Sequence, residues 1–354
     1  MRLEKRARSS ALALVLAPLG AVVFTMLVSA LLVLWAGAPI ARTYGLLLQG
    51  GFGSVFALSE TLTRAIPLML TGLAATVAFK ARLFNIGAEG QLYAGALAAV
   101  AVGGLHGGSG FEQLPTPVLF ALMMLAAALA GALLLLGPAL MKARLGVDEV
   151  VTTLLLNFIV LLLVSWMLDG PMKDPTAMGW PQSVALLGEL ELSKLIAQTR
   201  VHSGLVWGVA LAIGVWALMK YTVLGFDIRA VGANARAAAF AGVPVTRTVV
   251  LVAMLSGALA GLAGAIEVAG RTGYVTLDMS PGYGYSGIVI AMLAALHPLG
   301  VVAASVFVAG VLVGADSMSR AVGVPTYIAD VIVAASLISV LVATLLTQYR
   351  VKLQ

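Results

Sequence analysis

Apolar stretches long enough to cross a bilayer recur along this chain, separated by short polar turns. A hydrocarbon core ~30 Å thick takes ~20 apolar residues of helix. Within it every backbone N–H and C=O must find a partner inside the protein. The expected fold is therefore all-α and membrane-integral, a single transmembrane domain over residues 1–354 with no soluble domain. Composition agrees, with 61% apolar residues, 10% charged residues and a mean hydropathy of +1.06. The chain has no cysteine, which excludes a disulfide framework and a thiolate metal site. His106, His202 and His297 are too far apart in sequence to form a ligand-spaced cluster. The net charge of +6 is explained by topology rather than by nucleic acid.

Charge sets the expected orientation. Arg2, Lys5, Arg6 and Arg8 precede a first span over about Ala11–Ala36, which reads as retained rather than as a cleaved signal. About ten spans follow from the pattern, with both termini cytoplasmic. On that map 14 of the 21 Lys and Arg residues lie inside. Residues 169–202 form the longest outer loop, with a possible amphipathic segment at Leu187–Ile196. Residues 269–285 read as a polar outer connection, followed by two short segments, Ser286–Leu296 and Val301–Ala315. Spans two to five and seven to ten start in opposite directions, as an inverted repeat requires. Gly257-xxx-Gly261 with Gly264, and Gly310-xxx-Gly314, are spaced for close helix packing.

The most sharply punctuated polar stretch is the loop 225–247, GFDIRAVGANARAAAFAGVPVTR. Asn234 is placed to cap a helix, Ala235–Ala241 favours one, and Gly242 with Pro244 ends it. A two-turn helix with a small alanine surface and one large apolar side chain, Phe240, suits a groove on another protein. Arg229 and Arg236 are donors for acids beside such a groove, and Gly232, Ala237 and Ala238 belong to the same stretch. The competing reading is an ordinary connecting loop.

A second cluster is Asn85-Ile86-Gly87-Ala88-Glu89-Gly90-Gln91. A carboxylate and two amides at the start of an apolar run are costly unless they face a partner or a wet path. On a continuous helix Glu89 and Tyr93 share a face, with Asn85 one turn earlier. Asn157 lies in mid-span. These four polar residues either line a translocation path or tie helices together. Glu267 and Asp330 fall at span ends, and Tyr274, Tyr283 and Tyr285 read as an interfacial belt. No GxxxxGK[ST], HExxH or GxSxG sequence occurs, so neither P-loop nucleotide hydrolysis nor intramembrane enzymology is indicated.

Three stretches carry a family resemblance: LFNIGAEGQLYAGALAA at 83–99, RAVGANARAAAFAGV at 229–243 with LSGALAGLAGA at 255–265, and SGIVIAMLAALHPLG at 286–300. In that order they resemble the permease subunits of bacterial ABC importers for nucleosides and simple sugars. The second and third also resemble the wider ribose and branched-chain amino-acid permeases. The resemblance implies a bacterial inner-membrane permease dimer, homologous or identical, working with a cytoplasmic ABC ATPase and an extracytoplasmic binding lipoprotein. It implies no cofactor in this chain, with ATP and Mg on the ATPase. It also implies that the segment matching 225–243 docks on that ATPase. Where this chain has Ala294-Ala295-Leu296-His297, many relatives carry a glycine and a basic or polar residue before the proline. Two other classes remain open, an ion-coupled secondary transporter working through Glu89 or Glu267, and a structural or assembly protein.

Overall fold

The computed structural model describes residues 39–104 and 114–323 without a break, with residues 2–5, 349–352 and parts of 20–37 and 331–342. The expected first span, the turn at 106–116 and the last span at 327–346 lie wholly or partly outside the described residues. The helices are α1 (Ile40–Phe52), α2 (Val55–Lys80), α3 (Ala88–Gly103), α4 (Thr116–Leu145), α5 (Glu149–Asp169) and α6 (Gly204–Tyr221). There follow α7 (Val223–Ala233), α8 (Ala235–Phe240), α9 (Val245–Glu267), α10 (Tyr283–Leu293) and α11 (Pro298–Val322). Six helices among the described residues are long and apolar enough to cross a membrane. Among the described residues the strands are a two-stranded antiparallel ribbon, β1 (Arg2–Lys5) against β2 (Tyr349–Lys352). Inner and outer denote the sides that the charge bias of the sequence assigns.

Contacts divide the chain into two units, residues 1–61 with 306–354, and residues 62–305. In the first, α1 packs on the second half of α11 at the expected glycine pair. A Cβ on Gly310 would lie 2.0 Å from the Phe52 ring, and one on Gly314 2.2 Å from the Leu47 carbonyl oxygen. In the second unit α9 is the central helix, packed on α3 and α4 through the other glycine series. A Cβ on Gly257 would lie 2.3 Å from the Gly131 oxygen, one on Gly261 2.2 Å from that of Ala127, and one on Gly264 1.9 Å from that of Leu92. These neighbours are backbone and cannot turn aside. Gly261→Ala is therefore expected to cost about 1–3 kcal/mol through overpacking, read as a lower unfolding temperature in detergent.

Several boundaries differ from expectation. Residues 225–233 are helical as part of α7, although GFDIRAVGA holds two glycines. Tertiary contact overrides weak propensity there: Gly225 abuts the backbone of Leu218 and Met219, and Gly232 that of Lys80. The outer loop contains only one 3-10 turn, Gly188–Leu190, in place of an amphipathic segment. α11 is continuous through 25 residues rather than short. Between α10 and α11, Ala295 and Leu296 take φ of +50° and +57°, where other residues pay a steric penalty that glycine avoids. Ala295→Gly is expected to raise stability by about 1 kcal/mol, measured by thermal unfolding.

The outer loop folds over the ends of α3 and α9. Leu187 N donates to Gly103 O, Leu186 N to Gly273 O and Leu192 N to Ala269 O. His202 is buried in this loop, its Nδ1 accepting from Gly204 N at 3.2 Å, its ring against Gly270. Burial pushes the imidazole down to about 4, so the folded loop holds it neutral. An unfolded loop takes up that proton near its ordinary value, about 6.5. The stabilisation is thus complete above that value and falls as pH drops towards 4, by up to roughly 3 kcal/mol. Limited proteolysis of the loop is expected to speed up between pH 7 and pH 5 (about two units), and His202→Phe to remove the dependence.

Candidate functional site

Helix α10 begins inside the bundle. Its first carbonyl, on Tyr283, accepts from Thr71 Oγ1 at 2.9 Å. Thr71 lies nine residues before the inner end of α2 at Lys80, about 14 Å along the helix. Eleven residues of helix reach about 16 Å, half a hydrocarbon core, so α10 is a half-span. The chain reaches its start through a non-helical segment of turns at 275–282, and Gly282, at φ +86°, leads into the helix. The expected outer connection at 269–285 is therefore a re-entrant segment. Non-helical backbone at that depth requires protein cover. Here Ser183 N donates to Val275 O at 3.0 Å, and Tyr93 Oη donates to Leu277 O at 2.6 Å while accepting from Ser280 N at 3.2 Å.

α3 starts in the same way. Residues 83–87 are non-helical after α2, and α3 begins only at Ala88. Asn85 is thus not one helical turn before Glu89. Its Oδ1 accepts from Gly87 N at 3.0 Å and Gln91 Nε2 at 2.9 Å, a local bond that competes with helix. Its Nδ2 donates to Ser256 Oγ at 3.1 Å, and Ser256 donates to Ala74 O. Asn157 of α5 accepts from Gly90 N at 2.8 Å and donates to Ile86 O and to Tyr285 Oη. Below this, Glu149 pairs with Lys142 and accepts from Phe84 N at 3.1 Å.

The starts of these two helices meet. A Cβ on Gly284 would lie 2.2 Å from Glu89 N, so the starts of α3 and α10 abut. Each helix start carries about half a positive charge. The Glu89 carboxylate lies where these ends meet and accepts from Gly284 N at 2.6 Å, beside Ser280 and Gly282. Asn85, Glu89, Gln91 and Asn157 are all buried and bonded to protein.

Sequence reasoning named Glu267 and Tyr283 but placed them at a span end and in an interfacial belt, missing that they join in a buried cluster. Glu267 is buried and paired with Arg271 at 2.6 Å, across a π-helical turn at 268–272. Arg271 also donates to Tyr283 Oη at 3.1 Å, and Arg64 of α2 reaches the same hydroxyl. The i,i+4 spacing of Glu267 and Arg271 was the available signal. Tyr283 is 0% exposed and does not belong to an interfacial belt. Arg271 further lines an outer cavity of about 410 Å³ with Trp180, Arg200, Tyr274 and Asp278.

At the inner face, Asn234 Oδ1 accepts from Arg236 N at 3.0 Å and Ala237 N at 3.1 Å, capping α8. Gly242 at φ +86° follows its end. Arg236, Ala237 and Phe240 are exposed, Phe240 at 96%. Ala238 is 5% exposed and faces the protein's own interior, which narrows the free alanine surface. Arg229 and Gly232 lie on α7, not in an open loop.

A bundle of long apolar helices built around a short helix pinned by buried polar groups is the architecture of an integral membrane protein, and the family it belongs to makes it a transport subunit. The chain belongs to the family described as the branched-chain amino acid transport system / permease component, whose model matches residues 57–341. It is 34% identical over 321 residues to the guanosine ABC transporter permease protein NupP of Bacillus subtilis, covering 90% of each chain. It is 38% identical over 320 residues to the glucose ABC transporter permease protein TsgB13 of Haloferax volcanii, covering 87% of this chain and 82% of the relative. It is 30% identical over 329 residues to the nucleoside ABC transporter permease protein NupB of Lactococcus lactis, covering 91% and 89%. No solved structure matches the chain. The family and the apolar helices make it a multi-pass protein of the inner membrane.

Proposed function

We propose that this chain forms half of the translocation path of an ATP-driven importer for a nucleoside or simple sugar. The observation that carries the reading is near full-length similarity to permeases named for guanosine, nucleosides and glucose. An extracytoplasmic binding protein delivers the solute, a second permease subunit completes the path, and a cytoplasmic ATPase with its own ATP and Mg drives it. Ten spans fit this reading: the six long helices, α3, the broken segment ending in α10, and the apolar runs near each chain end. The ribbon joining β1 and β2 supports both termini lying on one side.

In this mechanism α7 and α8 receive the motor's motion and α10 is the moving gate. Arg229, Gly232, Asn234, Arg236, Ala237, Ala238, Phe240 and Gly242 form or support the docking surface. Asn85, Glu89, Gln91 and Asn157 hold the gate's pivot beside the path rather than contacting solute along its length. The Glu89 contact at the joined helix starts supports that role. The test is uptake of labelled guanosine and glucose by vesicles holding the permease pair, with and without ATPase and binding protein. ATP-dependent uptake is expected only with all components. Uptake by the permease alone on an ion gradient would make it a secondary transporter, with Glu267, buried and paired with Arg271 at the outer cavity, as the first candidate for coupling.

A further inference from the structure

Where α10 ends, the inner face carries a cavity of about 320 Å³ lined by Lys80, Trp216, Lys220, Arg229 and His297. No acid lines it. None of its three cations forms an ion pair with an acid among the described residues. Arg229 nevertheless lies within Coulombic reach of Lys80. Backbone packing holds them there. Gly232 sets α7 against the Lys80 carbonyl, where a Cβ would come within 1.8 Å, and Gly225 sets the α6–α7 corner against Leu218 O, at 2.2 Å. Converging cations that the fold cannot separate are relieved by a bound anion.

The surroundings indicate which anion. Lys220 Nζ lies 5.0 Å from the Trp216 ring centroid and 5.1 Å from that of Tyr221, an aromatic and cation arrangement typical of headgroup depth. Ile213, Trp216 and Lys220 follow one face of α6, and Phe226 precedes Arg229 by three residues on α7. Beside the cations, Val223 is 77% and Phe226 58% exposed, and Ile213 and Tyr221 are also exposed. A soluble phosphate has no use for that apolar flank. We propose that this cavity binds the phosphate of an anionic phospholipid of the inner leaflet, with its acyl chains along α6. The lipid ties together the ends of α2, α6 and α7 and the turn after α10.

The test uses the purified, delipidated permease in detergent, titrated with phosphatidylglycerol or phosphatidylcholine and read by native mass spectrometry. Saturable binding is expected for phosphatidylglycerol, at least about tenfold tighter than for phosphatidylcholine. Lys80→Gln/Lys220→Gln/Arg229→Gln is expected to weaken it roughly a hundredfold, and Lys220→Gln alone to weaken it about fivefold with unfolding temperature unchanged. Arg144→Gln, at an exposed inner position, removes the same charge elsewhere and should leave binding intact. Equal loss in Arg144→Gln, or equal binding of the two lipids, would overturn the site. Displacement of the lipid by millimolar inorganic phosphate would assign the cavity to a soluble anion. Loss of lipid on adding the ATPase would make it part of the motor interface instead.

Discussion

Replacing Glu89 with leucine is expected to remove most of the folded permease from the membrane. Leucine fills a similar volume but accepts no hydrogen bond, so Gly284 N, 195 residues away in sequence, loses its buried partner. An orphaned donor of that kind costs about 1–3 kcal/mol. The starts of α3 and α10 would also abut with no acceptor between them. An orphaned donor at that junction removes a substantial part of a net stability of about 5–15 kcal/mol. Glu89→Gln keeps an acceptor and loses only the charge, so it should retain most of its abundance. Membrane abundance and thermal unfolding in detergent read both variants. A leucine variant as abundant and heat-stable as the natural chain would remove Glu89 from the pivot. A glutamine variant of normal abundance without transport would show that the charge acts in the cycle and not only in the fold.

What was legible in the sequence was what is decided locally or by bulk solvation. Apolar runs announced the long helices, because the bilayer admits few alternatives to them. The Asn234 cap was readable because its acceptor and both donors lie within four residues. Gly261 and Gly264 were readable as packing positions from spacing alone, although not which backbone they touch. The polar junction of α3, α5 and α10 was not legible, because its bonds join distant residues: Glu89 to Gly284, Asn157 to Tyr285, Thr71 to Tyr283. The start of α10 was placed too late for a related reason. Tyr283-Gly284-Tyr285 looks like a polar turn until Arg271, Glu89 and Asn157 are known to receive it. Asn85 misled in the opposite sense, since a helical spacing was assumed where its side chain holds Gly87 N out of the helix.

Breaking α8 is expected to abolish coupled transport while leaving the permease folded. Ala239 is exposed and inside the helix, so Ala239→Pro removes a backbone donor and clashes with the preceding turn, at about 3 kcal/mol. That cost falls on a six-residue helix at the inner face, not on the α3–α4–α9 contacts that hold the bundle. Ala238 is the wrong position for this test, because tryptophan there would overpack the protein's own interior. Ala237→Trp instead adds bulk to an exposed face and leaves the backbone N–H that Asn234 caps. Both variants should reach normal abundance, lose most ATPase co-purification, and leave ATP hydrolysis insensitive to loaded binding protein. Gly188→Pro, in the outer loop where an added Cβ meets open space, is the control and should couple normally. If Ala239→Pro and Ala237→Trp both bind the ATPase and transport at the natural rate, α8 is a connecting turn and the motor docks elsewhere.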